Sequence, residues 1–236
     1  MFKSYLDLAA EKINVIKKEE GEKIRKAAVL VGDTLINGGW VYTFGSGHSQ
    51  LLAIEIHARA GGLYPIVHLP DPMNGKAERI EGFGTLLVEN IPFKKGETIF
   101  VISNSGRNPE PIEVAMVAKK AGLNVITLCS LEHSQSVSSR HSSGKLLYEL
   151  GDICLDTHGP AGDASLSFEG MQPKAGALST VLGAVLLNAV VVEAIQYMLE
   201  KGFEPPVLMS ANLDGSDEFN ERIVSKFGPM PCAKEI

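Results

Sequence analysis

Apolar residues recur at three- and four-residue steps through residues 3–38. Leu6, Ile13, Ile16, Ile24, Ala27, Ala28, Leu30, Val31 and Leu35 alternate there with Lys and Glu. This spacing lays an apolar stripe along a helix. Gly21 marks a bend in it and Asn37-Gly38-Gly39 ends it. Beyond this point short apolar runs take turns with helical patterns. Residues 40–44, 64–68, 98–102, 125–128 and 152–155 read as strands, and 48–60, 76–91 and 109–121 as helices. The strands are apolar on both faces, as strands of a covered parallel sheet are. Alternation with helices predicts an α/β fold with helices on both sides of a five-stranded parallel sheet.

The last third is less regular. Residues 157–173 are rich in Gly, Pro, Ser and Asp, which suits a loop above the C-terminal edge of the sheet. Residues 175–200 form a long helix, apolar nearly all round, which calls for burial within the domain or against a partner. Its most apolar stretch, 181–192, is shorter than a membrane span and holds Asn188. A polar tail follows Pro205-Pro206, with a short helix expected at 217–227. Without a linker, composition shift or repeat, residues 1–236 are expected to form one domain with an N-terminal helical extension and a C-terminal tail.

Composition narrows the function. Lys and Arg number 22 against 28 Asp and Glu, a net charge of −6. That balance speaks against a nucleic-acid surface. An anionic ligand must then be held by local donors. Cys129, Cys154 and Cys232 form no CxxC pair, and Cys129 and Cys154, in or at the end of apolar runs, read as buried free thiols. Charges at Lys3 and Asp7 interrupt the start where a signal peptide needs an apolar stretch. A cytoplasmic protein without a membrane partner is expected.

Two strand-to-helix turns carry candidate chemistry. Gly45-Ser46-Gly47-His48-Ser49-Gln50 begins like a dinucleotide fingerprint, but Gln50 stands where Gly or Ala is needed, so no nicotinamide cofactor is expected. Ser103-Asn104-Ser105-Gly106-Arg107-Asn108 leads into the helix at Pro109. Free N–H groups and the positive end of the helix dipole suit a phosphate there. Plain capping by Ser105 or Asn108 reads equally well.

The segment from Val101 to Ile112 resembles the SxSGxTxE signature of SIS (sugar isomerase) domains, and the turn 45–49 resembles their GxGxS turn. The resemblance runs from about residue 25 to 200 and is strongest to small stand-alone, phosphoheptose-isomerase-like members, whose ending resembles residues 204–218. It implies a three-layer αβα sandwich. It also implies a phosphorylated-sugar ligand, held by Ser103, Ser105 and Asn108 with Ser46 and Ser49 opposite, and with His48 and Asn104 beside them. Asn108 replaces the family's hydroxyl, yet its amide still donates to phosphate. Assembly as a homodimer or a dimer of dimers is implied too.

The activity implied is aldose–ketose isomerisation of a sugar phosphate or amino-sugar phosphate, or a related dehydratase or lyase reaction. Both begin with proton abstraction beside a carbonyl. A phosphosugar sensor without catalysis is the alternative.

For the base, His48, Glu55 and Arg59 fall on one face of the expected helix 48–60. Glu55 is the first candidate, and a Glu55–Arg59 surface ion pair is the competing reading. His68, Glu78 and Glu81 are rivals, because arabinose-phosphate isomerases of the superfamily carry a His and acidic residues in that segment. His158 lies just past the fifth strand, on the ligand side. His133 and His141 sit in a Ser-rich stretch and read as solvated. Phosphoheptose isomerases place metal ligands where this chain has Glu55, Arg59, Thr180 and Asn188. Arg, Thr and Asn are poor zinc ligands, so no metal is expected.

Overall fold

The computed structural model describes residues 1–231; Cys232 lies outside them. The N-terminal stripe folds as two helices, α1 (Phe2–Glu19) and α2 (Gly21–Ile36), bent at Glu20-Gly21. Five strands follow: β1 (Val41–Gly45), β2 (Ile66–Leu69), β3 (Thr98–Ile102), β4 (Asn124–Cys129) and β5 (Ile153–Asp156). They pair in parallel in the order β2-β1-β3-β4-β5. The chain direction across the sheet therefore reverses between β1 and β3. In open α/β sheets ligands bind outside the carboxyl ends of the strands at such a point. Both motif turns leave from this place.

Alternate strand residues feed two cores. Val41, Ile66, Phe100, Ile102, Ile126, Leu128 and Leu155 face α1, α2, α3 (Gln50–Glu55) and the long C-terminal helix. Tyr42, Phe44, Val67, Ile99, Val101 and Val125 face α4 (Phe83–Val88) and α5 (Pro109–Ala121). The two helical layers and the sheet between them make the expected αβα sandwich. The thiols of Cys129 and Cys154, on neighbouring strands, lie 3.6 Å apart and are free.

Three segments differ from the sequence expectation. The helix expected over 48–60 is one 3₁₀ turn (Gly47–Ser49) followed by α3, which stops at Glu55. Distant contacts end it. Ala58 adopts φ 39°, and the N–H groups of Gly61 and Tyr64 bond the carbonyls of Leu208 and Pro206 in the tail. Of the helix expected over 76–91 only α4 forms, because the Glu113 carboxylate on α5 receives the N–H groups of Gly82 and Thr85.

In the C-terminal third, the Gly-rich loop holds a small antiparallel pair, β6 (Ala164–Leu166) with β7 (Ala175–Ala177), after the helix α6 (Leu131–Gln135) and β5 have passed. The long helix α7 is Ser179–Glu200, with mean hydropathy 1.8. At 22 residues it is long and apolar enough to cross a membrane, unlike the shorter stretch read from the sequence. Here it is a core helix: Leu182, Leu186, Leu187, Val190 and Ala194 are fully buried. The tail helix α8 (Ser216–Phe227) forms as expected.

Candidate functional site

The turn after β1 is tight because Gly45 has no side chain: a Cβ there would lie 2.4 Å from the Ser49 carbonyl oxygen. The Ser46 side chain is held within the fold. It is 7% exposed, and its Oγ lies 2.9 Å from Asp71 Oδ2 and 2.6 Å from Glu110 Oε2. Two carboxyl groups of the fold thus engage the Ser46 hydroxyl. Asp71, just past β2, also accepts the N–H groups of Met73 (2.9 Å) and Gly75 (2.6 Å). Burial pushes the Glu110 carboxyl up to about 7; its contact with the Ser46 hydroxyl opposes this, and Asp71, Glu78 and Glu113 add to it.

The turn after β3 folds over Gly106, at φ 61°. The Gly106 N–H donates to Ser103 Oγ (3.2 Å), which leaves the Ser103 hydroxyl proton for another acceptor. The Ser105 carbonyl accepts from the Ser134 hydroxyl (2.9 Å), and the Ser105 hydroxyl has no partner among the described residues. Asn108 is the extended residue before α5, and its side chain makes no capping bond. Its Oδ1 instead accepts from Arg140 Nη1 at 2.8 Å. A guanidinium only donates, so the amide N–H₂ of Asn108 is the end left over.

Beside this turn a cleft of about 210 Å³ opens at the carboxyl ends of the strands. His48, Ser49 and Leu52 line it from the first turn and α3, Asn104 from the second turn, and His133 from α6. Thr157 and Asp163 come from the loop after β5, and Ser179 and Thr180 from the start of α7. Asn104 Oδ1 is buried without a hydrogen-bond partner among the described residues. The His133 Nδ1 accepts the Gly162 N–H at 3.4 Å, so the neutral ring carries its proton on Nε2. Burial, then Arg107, lowers the His133 pKa, with Asp163 opposing, and this favours the neutral ring.

None of the four residues expected to act as base lines this cleft. Glu55 ends α3, where it pairs with Arg59 and accepts from Asn188 Nδ2 at 3.2 Å. It makes the ion pair that was the competing reading of this helix. His68 lies inside β2 rather than at its end, with its ring 6.2 Å from that of His57. Burial, then His57, lowers its pKa to about 4. The Glu78 carbonyl accepts the Glu110 N–H, and the exposed Glu81 accepts the Ser142 N–H. His158 sits between Glu20 and Asp156, at 3.3 and 3.4 Å, and His141 lies 3.6 Å from Glu113. Among the described residues no three His, Cys, Asp or Glu side chains are grouped to hold a metal ion. Sequence reasoning passed over His133, Asp163, Asp71 and Glu110. Glu110 fills the acidic position of the second-turn signature, and Asp71 opens an Asp-Pro turn after β2; both were visible signals.

This fold, with its two glycine- and serine-bearing turns at the β1/β3 reversal, is that of a sugar-isomerase-type domain, and the chain belongs to the SIS domain family, whose profile matches residues 4–130. Over its whole length it is similar to UPF0309 proteins. That of Listeria monocytogenes is 45% identical over 95% of this chain and 96% of its own. That of Geobacillus thermodenitrificans is 39% identical over 96% and 95%. Among solved structures, the phosphoheptose isomerase of Francisella tularensis shares the fold at TM-score 0.59 and 16% identity, over 83% of this chain and 96% of that one. The phosphoheptose isomerase of Neisseria gonorrhoeae does so at TM-score 0.56 and 16% identity, over 81% and 96%.

Proposed function

We propose that this chain binds a phosphorylated sugar and catalyses its aldose–ketose isomerisation, or a related elimination, by proton abstraction beside the carbonyl. The phosphate sits on the Ser103 and Ser105 hydroxyls and the Asn108 amide, not on α5 itself, where Pro109 and Pro111 lack an N–H and that of Glu110 bonds the Glu78 carbonyl; the sugar occupies the adjoining cleft. Asn104 carries this reading. It belongs to both the turn and the cleft, and its buried Oδ1 lacks a donor among the described residues. An unpaired buried acceptor costs about 1–3 kcal/mol, which a sugar hydroxyl would recover. The two phosphoheptose isomerases of similar fold support the ligand class.

The cleft offers two imidazoles for the proton transfers. In this reading His133, with its proton on Nε2, donates to the sugar carbonyl, and His48 takes the proton from carbon. A neutral imidazole serves either role near pH 7. The reading is tested with hexose, pentose, heptose and N-acetylhexosamine phosphates offered to the purified protein. Turnover of one of them is expected. Thermal stabilisation without turnover would make the protein a sensor, and the absence of both effects would overturn the reading.

A further inference from the structure

The Ser46 hydroxyl stands between two carboxyl groups, 2.6 Å from Glu110 Oε2 and 2.9 Å from Asp71 Oδ2. A hydroxyl has one proton and can donate to only one of them, so the other contact needs a proton from the carboxyl side. The surroundings say which. Asp71 Oδ2 already accepts from the Gly75 N–H, and its Oδ1 from the Met73 N–H; such bonds favour the charged form. Glu110 is 0% exposed, and its Oε1 has no partner among the described residues. The proton therefore sits on Glu110: its carboxylic acid donates to Ser46 Oγ, and Ser46 donates to the Asp71 carboxylate.

Charges around Glu110 agree. Asp71 on the loop after β2, Glu78 on the segment before α4 and Glu113 on α5 all disfavour a further negative charge. The Arg140 guanidinium is engaged on the Asn108 amide, and the His141 imidazole lies beside Glu113. The dipole of α5 favours ionisation at its first turn, but complete burial without an ion-pair partner among the described residues outweighs it.

The three linked groups belong to three segments: the turn after β1, whose His48 and Ser49 line the cleft, the loop after β2, and the start of α5, which follows the second turn. The Gly47 N–H also reaches Asp71 Oδ2, at 3.4 Å. We propose that protonated Glu110 is a positioning residue, which acts through Ser46 and Asp71 to clamp the first ligand turn and the 71–75 loop onto the start of α5, and whose ionisation loosens anion capture there. The clamp follows from the hydrogen-bond geometry alone; only its effect on capture rests on the function proposed above.

The test uses inorganic sulfate, whose charge is constant between pH 5 and 9, with the wild-type chain and Glu110→Gln. The glutamine amide donates to Ser46 as the acid does, and it cannot ionise. Wild-type affinity for sulfate is expected to fall about tenfold from pH 6 to pH 8, the equivalent of one pKa unit of coupling. Glu110→Gln should keep its pH 6 affinity at pH 8, while Glu110→Ala should bind weakly throughout. Thermal unfolding is read in parallel. Wild type should lose stability relative to Glu110→Gln as pH rises from about 4.5 to about 7, since only the folded state holds the proton in that window.

Superimposable unfolding profiles for wild type and Glu110→Gln would overturn the inference. Divergent profiles with no sulfate binding would uphold the clamp and overturn the phosphate reading of the turns. If Glu110→Gln does not fold, infrared spectroscopy of the wild type decides: a protonated carboxyl that ionises near neutral pH supports the clamp, and its absence above pH 6 refutes it.

Discussion

Asp163 Oδ1 accepts the N–H of Ser179 at 2.7 Å and that of Leu178 at 2.9 Å, while its Oδ2 takes the Ser179 hydroxyl at 2.8 Å. The loop after β5 is thereby pinned to the first turn of α7, and both elements line the cleft. A carboxylate there satisfies N–H groups with no helical partner and complements the dipole. Asp163→Ala is expected to cost about 1–2 kcal/mol of stability, the upper range for loss of a cap. Equilibrium urea unfolding measures it. Sugar-phosphate affinity should fall as well, because Thr157 and Thr180 lose their relative placement.

The second turn can be tested without knowing the sugar. Double replacement of Ser103 and Ser105 by Ala should weaken phosphosugar binding by about 2 kcal/mol or more, at roughly 1.5–3 kcal/mol per charge-assisted hydrogen bond. Calorimetry with whichever sugar phosphate binds wild type provides the comparison. Equal affinities would move the phosphate elsewhere.

Glu55 and His133 separate two catalytic assignments. Because Glu55 is held by Arg59 and Asn188 outside the cleft, Glu55→Gln should leave turnover of the active sugar phosphate within about threefold of wild type, well short of the roughly 100-fold low end for loss of a general acid or base. His133→Gln should reach that 100-fold loss while binding persists. The opposite outcome would restore Glu55 as the base.

His68 predicts an acid-side sensitivity. Its ring is neutral in the folded chain down to about pH 4, while an unfolded histidine takes up its proton near 6.5. Below 6.5 the unfolded state binds more protons, so stability is fully present above that pH and declines as pH falls toward 4. Melting temperatures of wild type and His68→Gln between pH 4 and 7 should diverge in this direction.

Assembly is expected to bury the outer faces of α3 and α7, where Leu51, Ile54 and Val192 are 50%, 44% and 64% exposed. We propose a second copy of this chain as the occupant, giving a homodimer or a dimer of dimers. Light scattering at micromolar concentration should give at least twice the 25.3 kDa chain mass, and Val192→Lys should lower it. A monomer in the wild type would refute this.

Much of this molecule is legible in one dimension because its signals are local. Apolar runs such as residues 98–102 and 125–128 name their own strands, and the Pro109 start and Gly122 stop of α5 lie within a few residues of the helix they bound. The two turns at the β1/β3 reversal were equally readable, since a tight glycine turn before a helix is a short-range pattern. What tertiary structure alone decided are the contacts between distant segments. Pairing of residues 61–64 with the tail at 206–208 stops α3 before Arg59. His133 lines the cleft from α6, within reach of the Gly162 N–H, although its stretch reads as solvated. Ser46 and Glu110, 64 residues apart, share a proton only because β1 and β3 lie side by side, and the burial that keeps the proton there exists only in the folded chain.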